Sequence, residues 1–145
     1  MIGVDSNILV YAHRLDSPWS APANRRLRDL AEGSAPWAIP WPCVHEFLAV
    51  VTHPRLYRPA TPLEKALSDL EELFESPALQ LIGEDSGYWN AFSRLARQGL
   101  VAGAVVHDAR VAAICLEHGV RTLWSADRDF SRFPGLEVVN PLVLR

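Results

Sequence analysis

The stretch from Val105 to Phe130 constrains the fold of this chain more than any other. His107-Asp108-Ala109 opens a helix that runs through Val111, Ala112, Ile114, Cys115 and Leu116, apolar on nearly every side. Such a helix has to lie inside a core. Glu117-His118-Gly119 ends it, with Gly119 placed for the left-handed cap. Arg121-Thr122-Leu123-Trp124 then has the β-branched and aromatic character of a short strand, and Ser125-Ala126-Asp127-Arg128-Asp129-Phe130 follows at its end. One carboxylate, Asp108, therefore opens a core helix, and Asp127 and Asp129 follow the next strand. A buried helix tolerates an aspartate in its first turn where that end faces a cleft.

The rest of the chain repeats this alternation. Met1-Ile2-Gly3-Val4 reads as a strand buried on both faces, stopped by Asp5-Ser6-Asn7. Ile8 to His13 is a helix with Ser6 or Asn7 as its cap. A helix starting between Asp16 and Pro22 runs to Gly33. Trp37-Ala38-Ile39-Pro40 is a second strand, Pro42 suits the first turn of a helix over Cys43–Val51, and Glu46 falls within about one turn of that start. Thr61-Pro62-Leu63-Glu64 has the form of a capping box before an amphipathic helix. Leu79–Ile82 is a third strand, Asp85 or Ser86 caps a helix that Gly99 ends, and Leu136–Val139 is the last strand. Strands alternating with helices predict an α/β fold with a central, mainly parallel sheet of four to five strands, flanked by helices on both faces. The 145 residues suit one domain, 1–145.

Composition removes several classes of function. No apolar run approaches the ~18 residues of a membrane span, and no cationic segment precedes an apolar one at the N-terminus, so a cytoplasmic protein is expected. Cys43 and Cys115 form no C-x-x-C pattern and are expected as buried thiols. No glycine-rich phosphate loop is present. The net charge of −3 is not that of an overtly basic nucleic-acid binder, yet thirteen of the fourteen cations are arginine, and local patches count for more than the total.

In an open α/β sheet, ligands bind outside the carboxyl ends of the strands. Asp5 follows the first strand, Glu46 enters the helix after the second, Asp127 and Asp129 follow Arg121–Trp124, and Asp108 opens the helix feeding that strand. Four or five carboxylates from distant parts of the chain thus converge on one edge. Converging carboxylates repel, and helix N-termini return only ~0.3–1 kcal/mol each. A hard divalent cation is the natural remedy, and oxygen-only ligands select Mg²⁺ or Mn²⁺ over zinc. The chemistry expected is metal-assisted phosphoryl chemistry.

At these residues the chain resembles the PIN-domain ribonucleases, and within them the VapC toxins of bacterial toxin–antitoxin pairs. The likeness rests on Val4-Asp5-Ser6-Asn7, His45-Glu46-Phe47, His107-Asp108-Ala109 and Ser125-Ala126-Asp127-Arg128-Asp129-Phe130, in that order across the whole chain. The resemblance implies a PIN-like fold and RNA cleavage dependent on Mg²⁺ or Mn²⁺. It also implies a cognate VapB-type antitoxin that covers the site, and a homodimer. Carried over by motif, Asp5, Glu46, Asp108 and Asp127 are the expected catalytic acids, and Asp5, Asp108 and Asp127 or Asp129 the expected metal ligands. Ser6 stands as a hydrogen-bonding partner, and Asn7 either orients Asp5 or caps the helix.

Arg110, Arg128 and Arg132 near the acids, and Arg55 in the His53–Ala60 loop, are candidate contacts for RNA phosphates. His45 and His107 each precede an acid on a helix, where neighbours point ~100° apart, so both are expected to face away from it. Two other classes compete. A phosphatase with an aspartyl nucleophile needs an acid two residues later and a lysine, but Asn7 holds that place and the only lysine, Lys65, lies on a wet helix face. A non-catalytic α/β binding module with a remnant acidic site is the other.

Overall fold

The computed structural model describes residues 1–143, so the last two of the expected 1–145 span lie outside the described residues. Strands β1 (Ile2–Val4), β2 (Trp37–Pro40), β3 (Leu79–Ile82), β4 (Thr122–Trp124) and β5 (Glu137–Val139) form one sheet of order β3-β2-β1-β4-β5. Every neighbouring pair is parallel. Between them lie α1 (Ser6–His13), α2 (Ser20–Glu32), α3 (Trp41–Val51), α4 (Leu63–Phe74), α5 (Tyr88–Gly99) and α6 (Val105–Glu117), with a 3₁₀ turn, Arg128–Arg132, before β5.

The chain steps outward from β1 to β2 to β3, then returns across the sheet to place β4 on the other side of β1. With right-handed crossovers, that reversal puts α1–α4 on one face and α5–α6 on the other. The main helix contacts divide in the same way: α1 against α2 and α3, α3 against α4, and α5 against α6. The reversal also creates a switch point between the carboxyl ends of β1 and β4, where diverging loops leave a crevice.

The central strands are buried on both sides. Val4, Trp37, Ala38, Ile39 and Leu123 lose all contact with solvent, as do Ala109, Ala112, Ala113, Ile114 and Cys115 of α6. Each large aliphatic among them contributes ~1.5–3 kcal/mol. Gly3 permits this closeness, since a Cβ there would stand 2.9 Å from Val120 Cγ1. Both cysteines are free and buried, as expected.

Helix ends differ from the sequence reading in ways that move the acids. Asp5 itself caps α1, its Oδ1 accepting from Ser6 N at 2.8 Å, so neither Ser6 nor Asn7 is the cap. α3 begins at Trp41, which puts Pro42 second and Glu46 in the second turn, beyond the reach of the helix N-terminus. The capping box at Thr61 does not form: Pro62 holds the cap position without a side-chain bond. Thr61 Oγ1 is instead bonded to His13 Nε2 at 2.8 Å and to Arg14 at 3.3 Å, a tertiary demand that outcompetes the local one. α5 starts at Tyr88 behind Gly87 and closes on Leu100, left-handed at φ 48°, rather than on Gly99. α6 starts two residues before His107, so Asp108 is its fourth residue and caps nothing.

Candidate active site

Asp5 is set by β1 and fixed by a buried network. Its backbone N–H donates to Trp124 O at 3.0 Å, which extends the β1–β4 ladder to the switch point. Oδ2 accepts from Ser125 Oγ at 2.7 Å and Asn7 Nδ2 at 3.2 Å. Oδ1 accepts from Ser6 N, more distantly from Ser6 Oγ at 3.4 Å, and from Cys43 Sγ at 3.4 Å. Burial still pushes the Asp5 carboxyl above the usual range, with Asp127 adding to the effect against these hydrogen bonds.

Ser125 is the hub that the sequence reading passed over. Besides donating to Asp5, its Oγ accepts from Asn7 Nδ2 at 3.1 Å and from Asp127 N at 2.9 Å, using its one donor and both lone pairs. Asn7 Oδ1 accepts from Ala126 N at 3.1 Å, so Asn7 ties the end of β1 to the end of β4 and orients Asp5. A serine directly after a strand and two residues before an acid is the local signal for such a turn. Asp127 Oδ1 in turn accepts from Asp129 N at 2.9 Å and caps the 3₁₀ turn, which holds both acids on the same rim.

Asp108 approaches from the other face on α6. Asp108, Asp127 and Asp129 each bring one carboxylate oxygen to within 4.8 Å of the others. The carboxyl of Asp108 is pushed up to about 6, first by burial and then by Asp127, Asp5, Asp129 and Glu46. Glu46 lies on the exposed rim and is also raised, by desolvation and by Asp5, while His107 works in the opposite sense. All five acids line one cleft of about 540 Å³ with Ser6, Asn7 and His107. Asp5 and Glu46 line it without joining the 4.8 Å set.

The structure places the other candidates less uniformly. Arg110 lines the cleft but is drawn outward by Glu84, to which its Nε and Nη2 donate at 3.2 and 3.3 Å. Arg132 donates to Asp129 O, and Arg128 lies on the far side of Asp127 in a neighbouring cleft. Arg55 belongs to a loop held at the distal end of α1, where Arg14 bonds Pro59 O at 3.0 Å; that end lies about 12 Å along the helix from Asp5. His45 turns away onto Trp41, as expected. His107 does not turn away: it lines the same cleft as Asp108 and Glu46.

These observations define a class: a doubly wound, all-parallel α/β protein with an all-oxygen carboxylate site at the switch point. The PIN domain family profile matches residues 2–136, and the chain belongs to the PIN-domain family. It is 35% identical over 142 residues to Ribonuclease VapC43 of Mycobacterium tuberculosis, covering 98% of this chain and 96% of that protein. It is 32% identical over 137 residues to Ribonuclease VapC48 of the same organism, covering 94% of each. In fold it is similar to VapBC2 from Rickettsia felis bound to a promoter DNA fragment, with a TM-score of 0.66 at 22% identity, over 96% of this chain and 98% of that one.

The donor set fits a hard divalent cation. Three carboxylate oxygens converge without a histidine or cysteine among them, and the arginine beside them is engaged elsewhere. Such a set suits an oxygen-preferring ion.

Proposed function

We propose that this chain is a VapC-type endoribonuclease, the toxin of a VapBC toxin–antitoxin pair, acting in the cytoplasm as a single domain over 1–145. The observation that carries the reading is the convergence of Asp108, Asp127 and Asp129 within 4.8 Å at the switch point of a PIN domain. These three would hold Mg²⁺ or Mn²⁺. When bound, the ion supplies positive charge against the negative charge developing on the phosphodiester and acidifies water at that point. Asp5, locked by Ser125 and Asn7, positions the Asp127 turn and would add negative charge to the cleft. Glu46 is on the open rim with a raised affinity for a proton, and its carboxylate takes the proton from the attacking water. His107 lines the same cleft mouth as Glu46.

The partner is a VapB-type antitoxin. An apolar groove bordered by Leu9, Leu27, Phe47, Leu70 and Leu73 suits an apolar segment of it. Exposed Trp89 and Leu100 on α5 suit a homodimer contact. Among the described residues no helix is long and apolar enough to cross a membrane.

The test is cleavage of RNA by protein free of its antitoxin, in Mg²⁺, in Mn²⁺ and in excess EDTA. Cutting in either metal and none in EDTA is expected. Cutting that persists in EDTA refutes the metal-dependent mechanism, and no cutting in either metal returns the chain to the binding-module class.

A further inference from the structure

Three clefts neighbour one another from the acids, round the open edge of β5, to α2. The acid cleft shares Asp127 with a second cleft, of about 890 Å³, at the ends of β4 and β5. That second cleft shares Arg26 and Pro141 with a third, beside α2. Joined at these shared residues, they outline a trough from Asp127 past Arg128, then Arg26, then Arg25 and Arg28.

The arginines are arranged for an external anion. None of the four is in an ion pair among the described residues, whereas Arg14 and Arg110 are held by Asp16 and Glu84. Arg26 Nε donates to Pro141 O at 3.1 Å, which anchors its side chain at the junction of two clefts. Its terminal nitrogens make no hydrogen bond among the described residues. Arg25 and Arg28 are three apart on α2 and so share a face. The opposing carboxylates beyond Asp127 are Glu137 and Asp29. Four cations against two acids form a local positive track in a protein of net charge −3.

We propose that this trough carries the stretch of RNA flanking the scissile phosphate, with successive phosphates on Arg128, Arg26 and the Arg25–Arg28 pair. The proposal rests on the ribonuclease reading above and deepens it. A site built of acids repels every phosphate except the one at the cation, so the neighbouring nucleotides need cations placed outside it. Guanidinium forks match phosphate oxygens in pairs of hydrogen bonds, which suits arginine over lysine along such a path. No aromatic side chain lines the second or third cleft, so the strand is held by its backbone rather than by base stacking. Ser131 and Asn140 in the second cleft offer hydrogen bonds to the nucleotide next to the cut.

The experiment compares Mg²⁺-dependent kcat/KM on a long single-stranded RNA and on the shortest RNA still cut, over a series of salt concentrations. The proteins are wild type, Arg25→Gln/Arg28→Gln, Arg26→Gln, Arg26→Lys, and Arg94→Gln/Arg97→Gln on exposed α5 as the charge-matched control. On long RNA the Arg25/Arg28 double variant falls about tenfold, and its log–log salt slope flattens by about 0.7 per arginine removed. On the shortest RNA it stays near wild type. Arg26→Lys recovers only part of what Arg26→Gln loses, because it keeps the charge but not the fork or the Nε anchor, and the α5 control matches wild type. Equal losses on both RNAs, no loss on either, or the same loss in the α5 control overturns the trough and leaves the ribonuclease reading standing. If wild type cuts neither RNA in Mg²⁺ or Mn²⁺, the ribonuclease reading fails and the trough with it.

Discussion

Asp108→Asn removes one charge from the carboxylate cluster while keeping its size and its place in the fourth position of α6. Asp108 keeps its proton up to about pH 6 in the folded protein, against an ordinary 3.8. At 1.36 kcal/mol per pH unit that interval amounts to about 3 kcal/mol, which solvent screening of a half-exposed group reduces to ~1–2 kcal/mol. The sign follows from proton binding. Between pH 3.8 and about 6 the folded state binds the proton more tightly than the unfolded one, so Asp108 favours folding at low pH and that contribution is lost as pH rises through about 6. In EDTA at pH 7.5 the asparagine variant is therefore more stable than wild type by ~1–2 kcal/mol, a rise in Tm of about 3–7 °C for a domain of this size. Its advantage shrinks through pH 6 and vanishes near pH 4. Magnesium reverses the order: wild type gains ~2.7 kcal/mol when the ion is at a hundred times its Kd, and the variant gains little. Thermal unfolding across pH, with EDTA and with Mg²⁺, measures all of this without an RNA substrate. A variant that unfolds earlier than wild type in EDTA at pH 7.5, or that keeps the full Mg²⁺ stabilisation, would refute the view that Asp108 is crowded for a cation.

Asp5→Ala is expected to behave in the opposite way: it strips the acceptor from buried Ser125 Oγ and from Ser6 N, and costs ~2–4 kcal/mol even in EDTA, read by urea unfolding. Gly3→Ala forces a Cβ to 2.9 Å from Val120 and costs ~1–3 kcal/mol, measured the same way. Leu100→Gly relieves a left-handed leucine that is 86% exposed and packs little, so it raises stability by ~0.5–1 kcal/mol; a loss would show that Leu100 makes a contact worth more than its backbone conformation costs. In sedimentation, a concentration-dependent dimer is expected that Trp89→Ser weakens; a monomer at micromolar concentration would count against the α5 contact.

Much of the layout could be read from local pattern. Short apolar runs such as Met1–Val4 and Trp37–Pro40, each followed by a helix signal, fix a parallel α/β sheet, because only a strand covered on both faces is apolar at every position. The acids were legible for a related reason. An aspartate just past a buried strand, directly after it at Asp5 and three residues on at Asp127, is carried to the carboxyl edge. What was not legible was competition between local and distant partners. Thr61 has the sequence of a capping residue, but it is taken by His13 and Arg14 from α1 and the residue after it. Ser125 reads as an ordinary turn residue until the β1–β4 pairing brings Asp5 and Asn7 against it.

The sequence by itself therefore determined the elements, their order, the parallel sheet and the set of acids, since each depends on periodicity or on a residue's position relative to its own strand or helix. The spacing between those acids came from tertiary packing. The reversal of strand order sets β1 beside β4, and α6 delivers Asp108 to that seam, so Asp108, Asp127 and Asp129 meet within 4.8 Å, with Asp5 held by its hydrogen bonds in the same cleft and Glu46 on its rim. It also decided which arginines face solvent unpaired, because whether Arg110 meets Glu84, or Arg26 meets Pro141, depends on packing across dozens of intervening residues.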